Sequence, residues 1–250
     1  MASEKTTAIV LRVIDFSETS AVVTLFTKDF GKVSALAKGA HRPKGPFESA
    51  LDLLAVVRIL FLRKSSDALD LLTEAKLERR FRAASRDLSR LYAGYYVAEL
   101  LMELTDAGDP HPELFAAADE ALLALEGAAA VAGVVLRFEL AALLTLGHMP
   151  ELEVCVGCGA AIEGDGRVAF GQLAGGVLCP KCRSGQRQVV SMSSGALVAL
   201  RRLAAAPAEI EGAEIERNVR GELRGVMNHY LAHLIGHKPR MHDYLSSLSG

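Results

Sequence analysis

Several kinds of sequence are missing from these 250 residues, and each absence removes a class of protein. No uncharged apolar run approaches the roughly eighteen residues that a membrane span needs. Met1–Lys5 lacks the apolar stretch of a secretory leader, so the chain reads as cytoplasmic. There is no Gly-rich phosphate loop closing on Lys-Ser/Thr, no Gly-x-Ser-x-Gly and no clear nuclease-type carboxylate cluster. Catalysis finds little support, and binding is the better reading. Internal repeats and low-complexity tracts are absent too, although Ala116–Ala132 is rich in alanine. Cations are missing between Arg90 and Arg137, where eight acidic residues accumulate from Glu99 to Glu126. Met1–Lys64 has the opposite bias, ten Lys/Arg against six Asp/Glu, so the net charge of −2 hides a basic front and an acidic middle. The acidic face is expected to repel DNA or to meet a basic protein partner.

Cysteine is scarce as well, and all four copies fall in two Cys-x-x-Cys pairs, Cys155/Cys158 and Cys179/Cys182. A two-residue gap lets both thiolates of a pair reach one ion from a tight turn, and a second such pair completes a tetrahedron. Gly157 and Gly159 stand where the first knuckle turns. Two disulfides would need an oxidising compartment, and a redox motif would need only one pair. The doubled spacing therefore predicts one structural zinc per chain, closed to water and not catalytic. His148 is a weak substitute ligand, and the seven histidines form no metal set of their own.

Half the residues are hydrophobic, enough to fill one large core or two smaller ones. Up to Ala75 the apolar period is that of strands: Thr7–Asp15, Ala21–Thr27, Lys32–Lys38, Leu51–Leu62 and Ala68–Ala75. Turn residues separate them, with Gly39, Pro43, Gly45 and Pro46 marking a loop. Five short strands suit a small closed barrel or sandwich, and the OB-fold is the five-stranded option that binds nucleic acid. From Lys76 a helical period is expected, with Leu88, Leu91, Tyr95, Ala98 and Met102 as an apolar stripe. Helices are also expected over Glu113–Leu125, over Val131–Leu146, after a Ser193 or Ser194 cap up to Pro207, and along Val219–Leu234.

Two basic groups are candidate DNA contacts. Lys32, Lys38, His41, Arg42 and Lys44 run from a strand into the Gly/Pro loop, the kind of surface that follows a phosphate backbone. The same residues also read as a solvated loop. Arg79, Arg82 and Arg86, with Lys76, Arg80 and Arg90, are expected to open the first long helix, where Glu78 and Asp87 can pair with some of them. Phe47 and the tyrosines 92, 95 and 96 can stack on bases, but burial is the commoner fate of such rings.

Three stretches, "VLRVIDFSETS" at Val10–Ser20, "GKVSALAKGAHRPK" at Gly31–Lys44 and "YLAHLIGHKPRMHDYLSSL" at Tyr230–Leu248, are similar to segments of the RecO family of bacterial recombination mediators. The order of parts resembles that family from end to end. Leu234–Ile235–Gly236–His237 departs from its closing pattern, so no role for a basic residue is carried over there. The resemblance implies an α+β chain: a five-stranded OB-fold barrel at 1–77 that binds DNA, then an α-helical domain at 78–250 with a four-cysteine zinc ribbon inserted at about 151–187. It also implies a non-enzymatic role: binding single- and double-stranded DNA, annealing complementary strands, and loading RecA on DNA coated by single-strand binding protein (SSB). The expected partners are then RecR and the acidic SSB tail, in the cytoplasm at the nucleoid. Two rival readings remain, a zinc-ribbon accessory factor that binds RNA or polymerase and a metal-dependent nuclease.

Overall fold

A computed structural model describes residues 2–42, 45–47, 50–64, 68–83, 87–163, 166–205 and 217–247. The chain divides into two compact units, Met1–Val131 with Tyr244–Gly250, and Ala132–Asp243.

In the first unit β1 (Ala2–Asp15), β2 (Ala21–Thr27), β3 (Gly31–Ala37), β4 (Val56–Arg63) and β5 (Asp70–Arg79) close a barrel in the order β1-β2-β3-β5-β4. Only the β3–β5 pairing is parallel, and the arrangement is OB-like. β1 is long because it serves two neighbours, β4 along Ala2–Ile9 and β2 along Ala8–Asp15. A register shift between Val10 and Arg12 bends it from one to the other. Alternate residues fill the interior: Ala8, Val10, Val23, Leu25, Val33, Ala35, Ala37, Val57, Ile59, Phe61 and Leu72. Phe47 also goes to this core and not to a ligand.

Two boundaries differ from the sequence expectation, and strand pairing explains both. β5 runs on to Arg79, past the expected change of period at Lys76, because Lys76 and Arg79 pair with Arg58 and Val56 of β4. Leu51–Ala55 is not strand: Leu54 turns at φ 64, and its N–H donates to the Val10 carbonyl at 2.8 Å.

Helices α1 (Leu88–Leu104) and α2 (Pro112–Glu126) belong to the same unit as the barrel. Asp87 caps α1, its carboxylate accepting from the Ser89 N–H at 2.8 Å. The buried face of α1 is Ala93, Tyr96, Val97, Leu100 and Leu101, whereas Leu88 of the expected stripe is 56% exposed. Gly94 sits on the buried side because a Cβ there would meet Leu54 and Phe81 at 2.8 Å. Gly31 is constrained more tightly: it opens β3 at φ +64, and a Cβ would lie 2.1 Å from the Asp109 carbonyl oxygen. Glycine there lets the α1–α2 connection lie against β3, with the Gly108 N–H donating to the Lys32 carbonyl at 3.1 Å.

The second unit holds α3 (Val131–Thr145), a three-stranded sheet of β6 (Arg167–Gly171), β7 (Gly176–Leu178) and β8 (Val189–Ser193) in the order β7-β6-β8, and the short α4 (Pro180–Arg183). Then come α5 (Ser194–Ala205) and α6 (Arg217–Ile235), and the unit ends within α7 (Met241–Ser247), whose residues from Tyr244 on belong to the first unit. Ser193 caps α5 as expected, accepting from the Ala196 N–H at 3.2 Å. Buried Glu139 of α3 is held by both oxygens on Arg224 of α6, at 2.8 and 3.0 Å. Among the described residues no helix is long and apolar enough to cross a membrane.

His242 is buried, and burial pushes its imidazole down to about 4, with Arg224 and Lys238 adding and Asp243 opposing. An unfolded histidine titrates near 6.5, so the unfolded chain binds this proton first. The stability it contributes is complete above about pH 6.5 and is lost as the pH falls from there toward about 4. Melting curves across that interval should show wild type losing more stability than His242→Gln. Equal losses in the two proteins would refute the assignment.

Candidate metal centre and nucleic-acid interface

The four cysteines converge in the second unit. Their sulfurs all lie within 4.8 Å of one another, and Cys158 Sγ is 3.8 Å from Cys179 Sγ. A tetrahedron of metal–sulfur bonds of about 2.3 Å has edges of about 3.8 Å, so the donor set fits one tetrahedral ion with no open position. All four are free cysteines. Two local turns build the knuckles. The Cys158 and Gly159 N–H groups both donate to the Cys155 carbonyl, at 3.3 and 2.8 Å, and α4 carries Cys182 directly after Cys179.

Hydrogen bonds move two of these thiols in opposite directions. The Cys179 N–H donates to Cys155 Sγ at 3.3 Å, and this bond, the largest influence on it, holds Cys155 down to about 6. Cys182 is pushed up to about 12, chiefly by hydrogen bonding with Cys158, with Cys179 and Cys155 adding. Four thiolates this close repel one another, and a bound dication removes the conflict.

The ribbon's support was not legible in the sequence. Arg201 of α5 donates to the Leu152 carbonyl from Nε at 2.9 Å and Nη2 at 2.6 Å, and to the Ile162 carbonyl at 3.0 Å. It also pairs with Glu153 at 3.3 Å. One guanidinium thus ties together both ends of the first knuckle, which a fork of fixed donors can do. β8 extends the sheet to Ser193, past the expected ribbon end near 187. The ring of Phe170 in β6 packs edge-on to Tyr230 of α6, centroids 5.7 Å apart. His148 lies outside the sulfur cluster and lends its carbonyl to the Tyr230 hydroxyl at 2.8 Å.

At the barrel mouth of the first unit, the β1–β2 hairpin and the segment after β3 form an open cleft of about 350 Å³. Phe16, Ser17, Thr19, Ser20, Leu36, Lys38, Gly39 and Arg42 line it. The His41 N–H donates to the Thr19 carbonyl at 3.3 Å and joins the two segments. His41 Nε2 lies 3.0 Å from the carboxylate of Asp15 at the end of β1. Gly39 turns at φ +80, and the stem of Arg42 passes 3.2 Å from where its Cβ would stand. Lys38 and Arg42 are exposed, and so is Phe16, a ring for which the sequence carries no binding signal.

The remaining predicted contacts separate by environment. Lys32 is engaged within its own unit: its ammonium donates to the Met102 and Thr105 carbonyls at 2.5 and 2.6 Å. It closes the C-terminus of α1, where unpaired carbonyls favour a cation. Burial lowers its pKa, partly offset by Asp106 and Glu103. Arg79 is engaged in the same way. It points from β5 onto Asp119 and Glu126 of α2, so part of the acidic middle neutralises part of the basic group inside one unit. The expected cationic helix is likewise absent among the described residues. Lys76 and Arg79 are strand residues, Arg80 and Arg82 lie in the connection, and only Arg90 is helical, donating to the Leu125 carbonyl at 3.2 Å. Glu78 pairs across strands with Arg58 and not along a helix. Lys44 and Arg86 lie outside the described residues.

Comparison with known proteins identifies the family of the chain. The family model described as "Recombination protein O N terminal" matches residues 1–81, and the one described as "Recombination protein O C terminal" matches residues 85–243. The chain is 45% identical over 263 residues to the DNA repair protein RecO of Rhodopirellula baltica, spanning 95% of this chain and 97% of that protein. It is 36% identical over 251 residues to the DNA repair protein RecO of Anaeromyxobacter dehalogenans strain 2CP-C, spanning 98% of each. The DNA repair protein RecO of Moorella thermoacetica is 30% identical over 243 residues, spanning 97% of this chain and 90% of that protein. An OB-like barrel, a four-cysteine ribbon in a helical domain and these matches along the whole length place the chain in the RecO family of non-enzymatic DNA repair and recombination proteins.

Proposed function

We propose that this chain binds single- and double-stranded DNA at the barrel mouth, anneals complementary strands and helps load RecA on SSB-coated DNA in the bacterial cytoplasm. RecR and the acidic SSB tail are the partners this reading carries with it, and zinc is the ion that the four thiolates hold. The observation that carries the DNA contact is the pair of exposed cations, Lys38 and Arg42, in a cleft beside the β1–β2 hairpin. That hairpin is one of the loops through which OB-folds take oligonucleotides. His41 acts as a positioning residue, holding Asp15 away from an approaching phosphate. Lys44 belongs to the same chain segment, whereas Arg82 sits exposed in the connection between β5 and α1.

Contacts to phosphates release counterions, so the salt dependence counts them. Lys38→Ala/Arg42→Ala should flatten the slope of log affinity against log salt by about 1.4 on single strands, about 0.7 for each contact. Binding should weaken alike on unrelated sequences, and annealing of naked and SSB-coated strands should slow with it. Fluorescence anisotropy at several salt concentrations reads the slope. An unchanged slope would show that the two cations are only solvated.

A further inference from the structure

Phe16 has the highest exposure of any large apolar side chain among the described residues, 66%. It stands first in a tight hairpin turn, its N–H donating to the Ser20 carbonyl at 2.9 Å, while Ser17 and Ser20 close the turn at 3.1 and 3.3 Å. The His41–Thr19 backbone bond fixes that turn to the segment carrying Arg42. The ring is therefore not at the end of a floppy loop. It lines the same cleft as Lys38 and Arg42, with the small side chains of Ser17, Thr19 and Ser20 beside it.

A flat π-face next to two cations matches the two halves of a nucleotide, a base and a phosphate. Base–aromatic stacking tolerates any sequence, because every base has a π-face. It also needs a base outside a duplex stack, since paired bases offer only their edges in the grooves. We propose that Phe16 is the stacking platform for one unpaired base whose flanking phosphates lie on Lys38 and Arg42, and that this ring sets the preference of the barrel mouth for single strands over duplex. A protein side chain against the ring is the competing occupant. The cations beside it and the absence of any other aromatic ring among the described residues lining the cleft favour the nucleotide. This deepens the reading of the cleft as a DNA interface and rests on it.

The test uses the full-length protein, an oligothymidylate, the same oligomer with abasic positions, and a duplex of equal length, each at several salt concentrations. Phe16→Ala should weaken binding to the oligothymidylate by roughly five- to a hundred-fold, the range for losing one stacked base. Its salt slope should match wild type, because no phosphate contact is lost. Duplex binding should stay within about two-fold, since paired bases never reached the ring. Phe16→Tyr should restore binding and Phe16→Leu should not, because the face and not the bulk is what matters. Wild type should bind the abasic oligomer as weakly as Phe16→Ala binds the intact one. Equal losses on single strand and duplex, rescue by leucine, or abasic binding equal to intact binding would each overturn the proposal. A normal slope loss in Lys38→Ala/Arg42→Ala beside an inert Phe16→Ala would refute stacking alone. An inert double variant would refute the interface itself.

Discussion

Cys155→Ser protein is expected to contain almost no zinc, to lose the ribbon as a folded element and to aggregate, while wild type purified without chelator carries one ion per chain. The magnitude follows from how small the apolar cluster around the sulfurs is. That cluster has three buried residues, Cys155, Ala169 and Leu178, and one of them is a ligand. Burying a leucine contributes about 1.5–3 kcal/mol, against an apparent binding free energy of about 10–16 kcal/mol for structural zinc in small zinc-binding peptides. The metal thus contributes more than the apolar core does, and losing it unfolds what it clips. Cys182→Ser and treatment with a strong chelator should behave in the same way. Binding of oligonucleotides by the barrel mouth should change much less than solubility, because Lys38 and Arg42 belong to the other compact unit. Elemental analysis settles the first part and near-equality of DNA affinity the second. Wild-type protein free of zinc, or a serine variant that keeps it, would end the assignment.

Arg224→Ala should cost about 3–5 kcal/mol of unfolding free energy, the usual result of removing one member of a buried ion pair. Glu139 is 0% exposed, and both its oxygens accept from Arg224 Nη1, so the truncation leaves a carboxylate in a low-dielectric setting. Removing both charges is a different experiment. Glu139→Leu/Arg224→Met should recover most of the loss, since an apolar pair of similar volume often equals a buried ion pair. The double-mutant cycle from urea unfolding then gives the coupling directly. A loss below about 1 kcal/mol for Arg224→Ala would mean that water reaches Glu139 and that the pair is in effect a surface one.

Much of the fold was legible because its signals are local. The strands announce themselves by alternation and by Gly and Pro between them, and Ala21–Thr27 agrees residue for residue with β2. The cysteine pairs are as plain, since the tight turn that aims two sulfurs at one ion is written in a two-residue gap. Tertiary structure decided the rest, and in each case the deciding interaction joins residues far apart in the chain. α1 is apolar on most sides, so its sequence cannot say which side faces inward. Close packing at Gly94 chose a face that leaves Leu88 outside. A lysine reads the same whether it meets a phosphate or a helix end, and Lys32 found the carbonyls of residues seventy and seventy-three positions later. Arg79 found acids forty and more positions away. Arg201 and the Glu139–Arg224 pair leave no local signal for the same reason. Phe16 is the inverse case. By composition it is one more candidate core ring, and only the folded hairpin left it in water beside two cations. Periodicity and ligand spacing are properties of neighbours along the chain, so the sequence alone determined the elements and the metal donors. Charge pairing and exposure are set by which distant surfaces meet, so only the folded chain could say which cations and which aromatic ring remain open to a ligand.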